Sequence, residues 1–127
     1  MKSVTRRWLE IAESDFDTAF YLFSGARYPQ AVYYLCQAIE KLLKAIRIEN
    51  TNDAPEKSHR LEHLTKRTGI AFTEEQMKEL TLLSQHYSRV RYPDISQISY
   101  NTKKKVEPLM KRGKELYLWI KKQFKKQ

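Results

Sequence analysis

Residues 28–49 constrain the fold of this chain more than any other stretch. Pro29 suits a first helical turn, where its missing N–H costs no hydrogen bond. Apolar side chains then recur at alternating steps of three and four residues, the spacing of an amphipathic helix; they are Val32, Leu35, Ile39, Leu42 and Ile46. Small residues one heptad apart flank this stripe and allow a second helix to approach closely; they are Ala31, Ala38 and Ala45. The stretch therefore predicts a helix packed among other helices.

The opposite face of the same helix is polar. It carries Tyr33, Gln37, Glu40, Lys41 and Lys44. On pattern alone this face indicates a solvated surface, with Glu40 and Lys44 as an i,i+4 ion pair.

Length and composition indicate a small soluble chain. The 127 residues fit one domain, residues 1–127. No apolar run is long enough to span a bilayer, and the N-terminus does not look like a signal peptide. The single cysteine, Cys36, lies beside the apolar stripe, so we expect a packed thiol and no intrachain disulfide. We therefore expect a cytoplasmic protein that does not bind membranes.

Positive charge is concentrated in the last segment. Residues 101–127 hold 10 of the 24 Lys and Arg residues but only 2 of the 15 acidic ones. Such a segment can attract phosphate-rich or acidic partners. The alternative is a solvated helix face with a Lys-rich end, which includes Lys121, Lys122, Lys125 and Lys126.

The first helix is predicted over residues 5–24, antiparallel to the helix that starts near Tyr28 because the connection is short. Asp15 lies within its apolar arc, between Ile11, Ala12, Ala19 and Leu22. An unpaired carboxylate there would be costly. We therefore expect Asp15 to be buried and paired, with Arg91 as its partner.

The remaining chain predicts three more helices. Ser58 can cap a short third helix that Gly69 terminates, which places His59 in its first turn. Thr73 and Gln76 form a capping box for a fourth helix that ends near Arg91, and a loop follows over residues 94–100. The last helix either begins near Glu107 or is kinked at Pro108. The fold class is therefore all-α, an antiparallel up-and-down bundle of four long helices plus one short helix.

Metal and nucleophile motifs are weak. His59 and His63 are four residues apart, but the sequence shows no third ligand beside them. Cys36 has no evident base and is expected to be buried, which argues against a nucleophile. We expect no metal, no cofactor and no catalytic residue.

Residues 86–94 concentrate functional groups that could bind a ligand: two guanidinium groups, two phenols and one imidazole stand at a helix end. Arg can pair bidentately with carboxylate or phosphate. The segment is therefore either an anion or nucleotide pocket, or a place where one Arg folds back onto a buried acid.

Several fragments, in order along nearly the whole chain, resemble the HEPN domain family (higher eukaryotes and prokaryotes nucleotide-binding). On the first helix they are Trp8, Ala12, Asp15 and Ala19. On the second they are residues 28–31 and 37–45. His59-Arg60-Leu61 with Leu64, and Tyr87 with residues 91–94, complete the set.

The resemblance implies an antiparallel helical bundle, usually dimeric, that often acts beside a minimal nucleotidyltransferase in toxin–antitoxin or defence systems. Some branches of the family are metal-independent ribonucleases that carry an Arg followed four to six residues later by a His. No Arg stands at that spacing before His59, His63 or His86. We therefore expect a binding and dimerisation module with weak nucleotide binding. The alternatives are an RNA-cleaving toxin of the same fold, or an accessory protein that binds nucleic acid through its basic last helix.

The predicted nucleotide or phosphate site gathers polar residues from three helices. Its members are Gln37, Lys41, Lys44, His59, Arg91 and Tyr92. A surplus of apolar side chains on the first and fourth helices predicts a homodimer; these are Trp8, Phe16, Phe20, Phe23, Met77 and Leu80.

Overall fold

A computed structural model describes the chain over residues 1–125, with side chains through residue 124; Lys126 and the side chain of Lys125 lie outside the described part. Its elements are α1 (Ser3–Ser24), α2 (Tyr28–Asn50), a 3₁₀ turn (His63–Thr65), α3 (Glu74–Arg89), α4 (Pro93–Ser99) and α5 (Lys103–Lys125). The described residues contain no strand, so the all-α prediction is confirmed.

Helix α2 lies at the centre, in contact with α1, α3, α5 and the 3₁₀ turn. The predicted stripe of α2 is fully buried, and so are the three alanines that flank it. Gly113 lets α5 pack tightly on α2, because a Cβ at this position would lie only 2.4 Å from Cδ2 of Leu35. The small residues therefore set how closely the helices pack, as the sequence pattern indicated.

The predicted third helix is wrong. Residues 52–60 have no helical structure, and only the 3₁₀ turn His63–Thr65 follows. Side-chain hydrogen bonds replace the helical ones: the local Ser58 Oγ accepts from the Arg60 N–H at 3.1 Å, and the Leu61 N–H donates to Ser84 Oγ on α3 at 2.8 Å. Ser and Thr hydroxyls compete with helix formation in this way. His59 is therefore not at a helix N-terminus.

The predicted loop at residues 94–100 is also wrong, because α4 occupies Pro93–Ser99. Pro93 occupies the first turn, and Asp94 adds a carboxylate where the helix dipole favours one. Tyr100 follows the last residue of α4, and its buried phenol lies 2.6 Å from Nδ1 of His86 on α3. The packed tyrosine fixes the position of this short helix.

The start of α3 was predicted by its cap, whereas α5 starts earlier than the expected Glu107. The capping box of α3 is present, with the Gln76 N–H donating to Thr73 Oγ1 and the Thr73 N–H donating to Gln76 Oε1. Helix α5 begins at Lys103, earlier than Glu107, and continues through Pro108. The carbonyl that Pro108 leaves without a partner belongs to Lys104, in the solvent-exposed first turn, where water can satisfy it.

Candidate functional site

A cleft of about 480 Å³ lies between the irregular segment 59–62 and one face of α3. Its lining residues are His59, Arg60, Glu62, Thr81, Ser84, Gln85, Tyr87, Ser88 and Arg91. Three of these side chains can carry positive charge, namely His59, Arg60 and Arg91, and Glu62 supplies the one carboxylate of the lining. The cleft therefore combines excess positive charge with hydroxyl and amide groups.

Ser84 fastens the two walls of the cleft together. Its hydroxyl accepts the Leu61 N–H at 2.8 Å and donates to Glu62 Oε1 at 2.8 Å. Leu61 itself is fully buried. The segment that carries His59 and Arg60 is thus held on α3 although it has no helix of its own.

Two residues of the cleft lining, His59 and Tyr87, contact Glu40 of α2, which is only 4% exposed. Its carboxylate accepts hydrogen bonds from Lys44 Nζ at 2.9 Å and from the Tyr87 hydroxyl at 2.9 Å. His59 Nδ1 lies 3.3 Å from the same carboxylate. The face that sequence pattern indicated as solvated is therefore a buried polar network at this point, although its Glu40–Lys44 pair is present.

The ionisation of this network follows from its contacts. Burial acts to raise the pKa of Glu40, but the hydrogen bonds from Lys44, Tyr87 and His59 outweigh burial and hold that pKa below its ordinary value of 4.5. Burial and the nearby Glu40 carboxylate both raise the pKa of Tyr87. Glu40 is thus an anion and Tyr87 a neutral donor at neutral pH.

His59 is held at one ring nitrogen and open at the other. Nδ1 faces Glu40, while 69% of the side chain is exposed. A carboxylate at Nδ1 selects the tautomer that carries a proton there. Nε2 of His59 is then available to a ligand in the cleft.

Arg91 lies over two tyrosine rings. Its Cζ is 4.9 Å from the Tyr87 ring centroid and 5.6 Å from that of Tyr33. Stacking of this kind leaves the edge of the guanidinium, which carries the N–H donors, open to an anion. Among the described residues Arg91 forms no salt bridge.

The predicted Asp15–Arg91 pair does not form. Asp15 is 14% exposed and binds Lys41 of α2, with Nζ 2.7 Å from Oδ2. Asp15 is paired as expected, but it is only partly buried and its partner comes from the neighbouring helix α2. The long packed contact between α1 and α2 places Lys41 within reach, whereas Arg91 lies over the tyrosines of α2 and α3.

The structure brings together only part of the predicted site. His59 and Arg91 line one cleft. Lys44 is outside that lining: its Nζ donates to Glu40 and lies 5.8 Å from the centroid of the Trp8 ring. Gln37 donates to the Tyr33 hydroxyl at 2.8 Å. Lys41 is engaged by Asp15, and Tyr92 is 57% exposed at the start of α4, outside the cleft lining.

Sequence reasoning missed most of the α3 wall. Thr81, Ser84 and Ser88 follow one another at steps of three and four, so they share one polar face of this helix. A signal also existed for the burial of Glu40, because it stands one turn after Cys36 and three residues before Leu43, both fully buried. Arg60 was singled out only within the family resemblance.

Other kinds of site find little support in the described residues. They contain no group of three or more His, Cys, Asp or Glu side chains placed to hold a metal ion. None of the described helices has the length and apolar character needed to cross a membrane. Cys36 is fully buried, its Sγ lies 3.6 Å from the Leu83 carbonyl oxygen, and burial raises its pKa.

Comparisons with known proteins identify the fold. A model of the HEPN domain matches residues 5–123. The chain is similar to the crystal structure of TT1696 from Thermus thermophilus, with 19% identity and a TM-score of 0.78 over 95% of this chain and 98% of that one. It is also similar to ST0689, described as an archaeal HEPN homologue, with 23% identity and a TM-score of 0.73 over 98% of this chain and 99% of that one. A search of curated proteins finds no match.

Proposed function

The chain belongs to the HEPN domain family, a family of helical nucleotide-binding modules, and on that premise we propose that it binds a nucleotide or RNA phosphate in the cleft between segment 59–62 and α3. The observation that supports this proposal is the convergence of His59, Arg60 and Arg91 on one cavity. Guanidinium groups bind phosphate bidentately, and Nε2 of His59 can accept a hydrogen bond from the ligand beside them.

A titration with ATP tests the proposal. Arg91→Gln and Arg60→Gln should each weaken binding by roughly tenfold or more, because each removes a charge-assisted contact. Arg7→Gln, at an exposed position of α1 away from the cleft, removes the same charge and should change binding little. Equal weakening in all three variants would mean that only net charge matters and would contradict a site in the cleft.

We propose binding without turnover. The family's ribonuclease spacing of Arg and His is missing, and His59 is paired with a carboxylate in a cleft whose polar groups can hold a ligand. Labelled RNA incubated with the pure protein in the absence of metal should remain intact. Cleavage that disappears in His59→Ala would instead support the alternative, an RNA-cleaving toxin of the same fold.

We also propose that the chain forms a homodimer and acts beside a minimal nucleotidyltransferase in a toxin–antitoxin or defence-like system. The nucleotidyltransferase partnership rests on family membership alone. Affinity capture of the tagged protein from its source cells should recover a nucleotidyltransferase, and its repeated absence would count against the partnership.

A second candidate function is nucleic-acid binding along α5. Lys104, Lys111 and Lys122 share one exposed face of this helix, a basic surface that can follow a phosphate backbone. Replacing all three by Gln should reduce both RNA affinity and its dependence on salt. An unchanged salt dependence would leave the cleft as the better candidate.

A further inference from the structure

Arg91 lines two cavities at once. Besides the cleft of about 480 Å³, it borders a smaller cavity of about 240 Å³ whose other lining residues are Pro29, Gln30, Tyr33, Val90 and Ser96. The side chain lies over Tyr87 of the cleft and Tyr33 of the smaller cavity. The guanidinium therefore stands at the boundary between the two cavities.

The two cavities differ in size and chemistry. Pockets that enclose a drug-sized ligand measure about 300–1,000 Å³, so the cleft is large enough for a nucleoside, whereas the smaller cavity suits a single ring system. Pro29 and Val90 give the smaller cavity apolar surface, and the Gln30 amide offers one donor pair and one acceptor. A nucleobase presents the same combination of flat apolar faces and a hydrogen-bonding edge.

From this arrangement we propose that the protein binds a single-stranded oligonucleotide segment of at least two nucleotides, with the linking phosphodiester on Arg91. One nucleoside lies in the cleft, and the base of its neighbour lies in the smaller cavity. The proposal rests on the proposed binding function and deepens it, since a mononucleotide would fill only one of the two cavities.

The charges of the linings agree with a phosphodiester at this point. Arg91 is the one charged residue of the smaller cavity, and the carboxylate of the cleft, Glu62, is engaged by Ser84. The exposed edge of Arg91 provides the N–H donors that a phosphate oxygen accepts. The aromatic rings beneath it hold the guanidinium plane in place, as a bidentate contact requires.

The comparison of AMP with the dinucleotide ApA tests the proposal, because ApA carries less negative charge than AMP. Simple charge attraction predicts weaker binding of ApA. Occupation of both cavities predicts tighter binding, by roughly tenfold for one additional base contact. The deoxy dinucleotide dApdA, tested in parallel, distinguishes RNA from DNA as the source of the segment.

Two matched variants show which cavity is responsible for the tighter binding of ApA. Gln30 and Gln85 are both exposed, and each lines only one of the two cavities. Gln30→Glu should weaken the binding of ApA several-fold and leave the affinity for AMP unchanged, whereas Gln85→Glu should weaken the binding of both ligands. Gln123→Glu, on α5 and outside both linings, is the control for added negative charge.

The two ways in which these expectations can fail are distinguishable. The first is that AMP binds and Gln85→Glu weakens its binding, but ApA binds no more tightly than AMP and its affinity is unchanged in Gln30→Glu. The two-cavity proposal is then overturned and the proposed function stands. If neither AMP nor ApA binds, both are overturned.

Discussion

Glu40 is the single residue on which the cleft most depends. It holds Lys44, Tyr87 and His59 from one buried carboxylate. Lys44 is itself only 8% exposed in its side chain, so its ammonium has little access to water for compensation. The two charges must therefore be kept or removed together.

Glu40→Gln should lower the free energy of unfolding at neutral pH by roughly 3–5 kcal/mol, because it leaves the Lys44 ammonium buried without a counter-charge. Urea denaturation measures the change, and Glu10→Gln at an exposed position of α1 is the control. The double variant Glu40→Gln/Lys44→Met should recover part of the loss. A single variant as stable as the wild type would show that the pair is not coupled to folding.

The same substitution should lose its effect in acid. Because the folded pKa of Glu40 lies below the ordinary value of 4.5, its contribution to stability is present above that value and is lost as pH falls through the folded pKa. The difference in unfolding free energy between wild type and Glu40→Gln should therefore narrow below about pH 4.5. A constant difference down to about pH 2 would contradict this assignment.

Asp15 contributes less to stability than Glu40, since its ion pair with Lys41 retains some contact with water. Asp15→Asn should destabilise by about 1–2 kcal/mol, between the values of exposed and buried pairs. Lys78→Gln, which breaks the exposed 4.0 Å contact with Glu74 on α3, should change little. Equal urea midpoints for both variants would argue against a special role for Asp15.

At the scale of elements, α5 packs on α2 at Gly113 with no room for a side chain. Gly113→Ala adds a methyl group against the buried Leu35 side chain, where overpacking typically costs about 1–3 kcal/mol. The better helix propensity of Ala offsets part of that cost. Thermal unfolding should therefore show a net loss of stability.

Two further variants isolate the steric cause. The penalty of Gly113→Ala should disappear in a Leu35→Ala background, where the space is open. Gly25→Ala should be tolerated, because a Cβ there meets its nearest neighbour at an ordinary 3.6 Å. A penalty that persists without the Leu35 side chain would exclude overpacking as its source.

The long helices were predictable because each repeats an apolar stripe over several turns. The short pieces were not, since contacts distant in sequence decide them: Ser84 holds Leu61, and Tyr100 anchors the end of α4 against His86. The same applies to the site. The pattern indicated the residue types of His59 and Arg91, but an irregular segment packed on α3 brings them to one cavity.

At the scale of the whole molecule, the apolar surplus assigned to a dimer is largely used inside the chain. Leu80 is fully buried, and Phe16 stacks on Tyr117 with ring centroids 4.1 Å apart. What remains exposed on α1 is a narrow stripe of Val4 (45%) and Ile11 (46%), one heptad apart on one face, while the exposed Tyr21 (80%) lies about 80° away around the helix. The proposed dimer is therefore better assigned to this stripe.

Sedimentation at micromolar concentration tests that assignment. The wild type should sediment as a dimer and Ile11→Glu as a monomer, because a charge in the stripe would be buried at the interface. Leu118→Glu, at a similarly exposed apolar position of α5, should remain dimeric. A wild type that is monomeric throughout would remove the dimer proposal.

The buried thiol of Cys36 can report how often the folded chain opens transiently. It is the only cysteine in the sequence, and neither solvent nor reagent reaches it in the folded state. A thiol-specific reagent can therefore label the chain only during excursions that separate α2 from α3. Under conditions where closing is faster than labelling, the labelling rate reports the equilibrium between closed and open chains, without denaturant. Ligands that bind across the cleft would then slow the labelling of a residue they never touch.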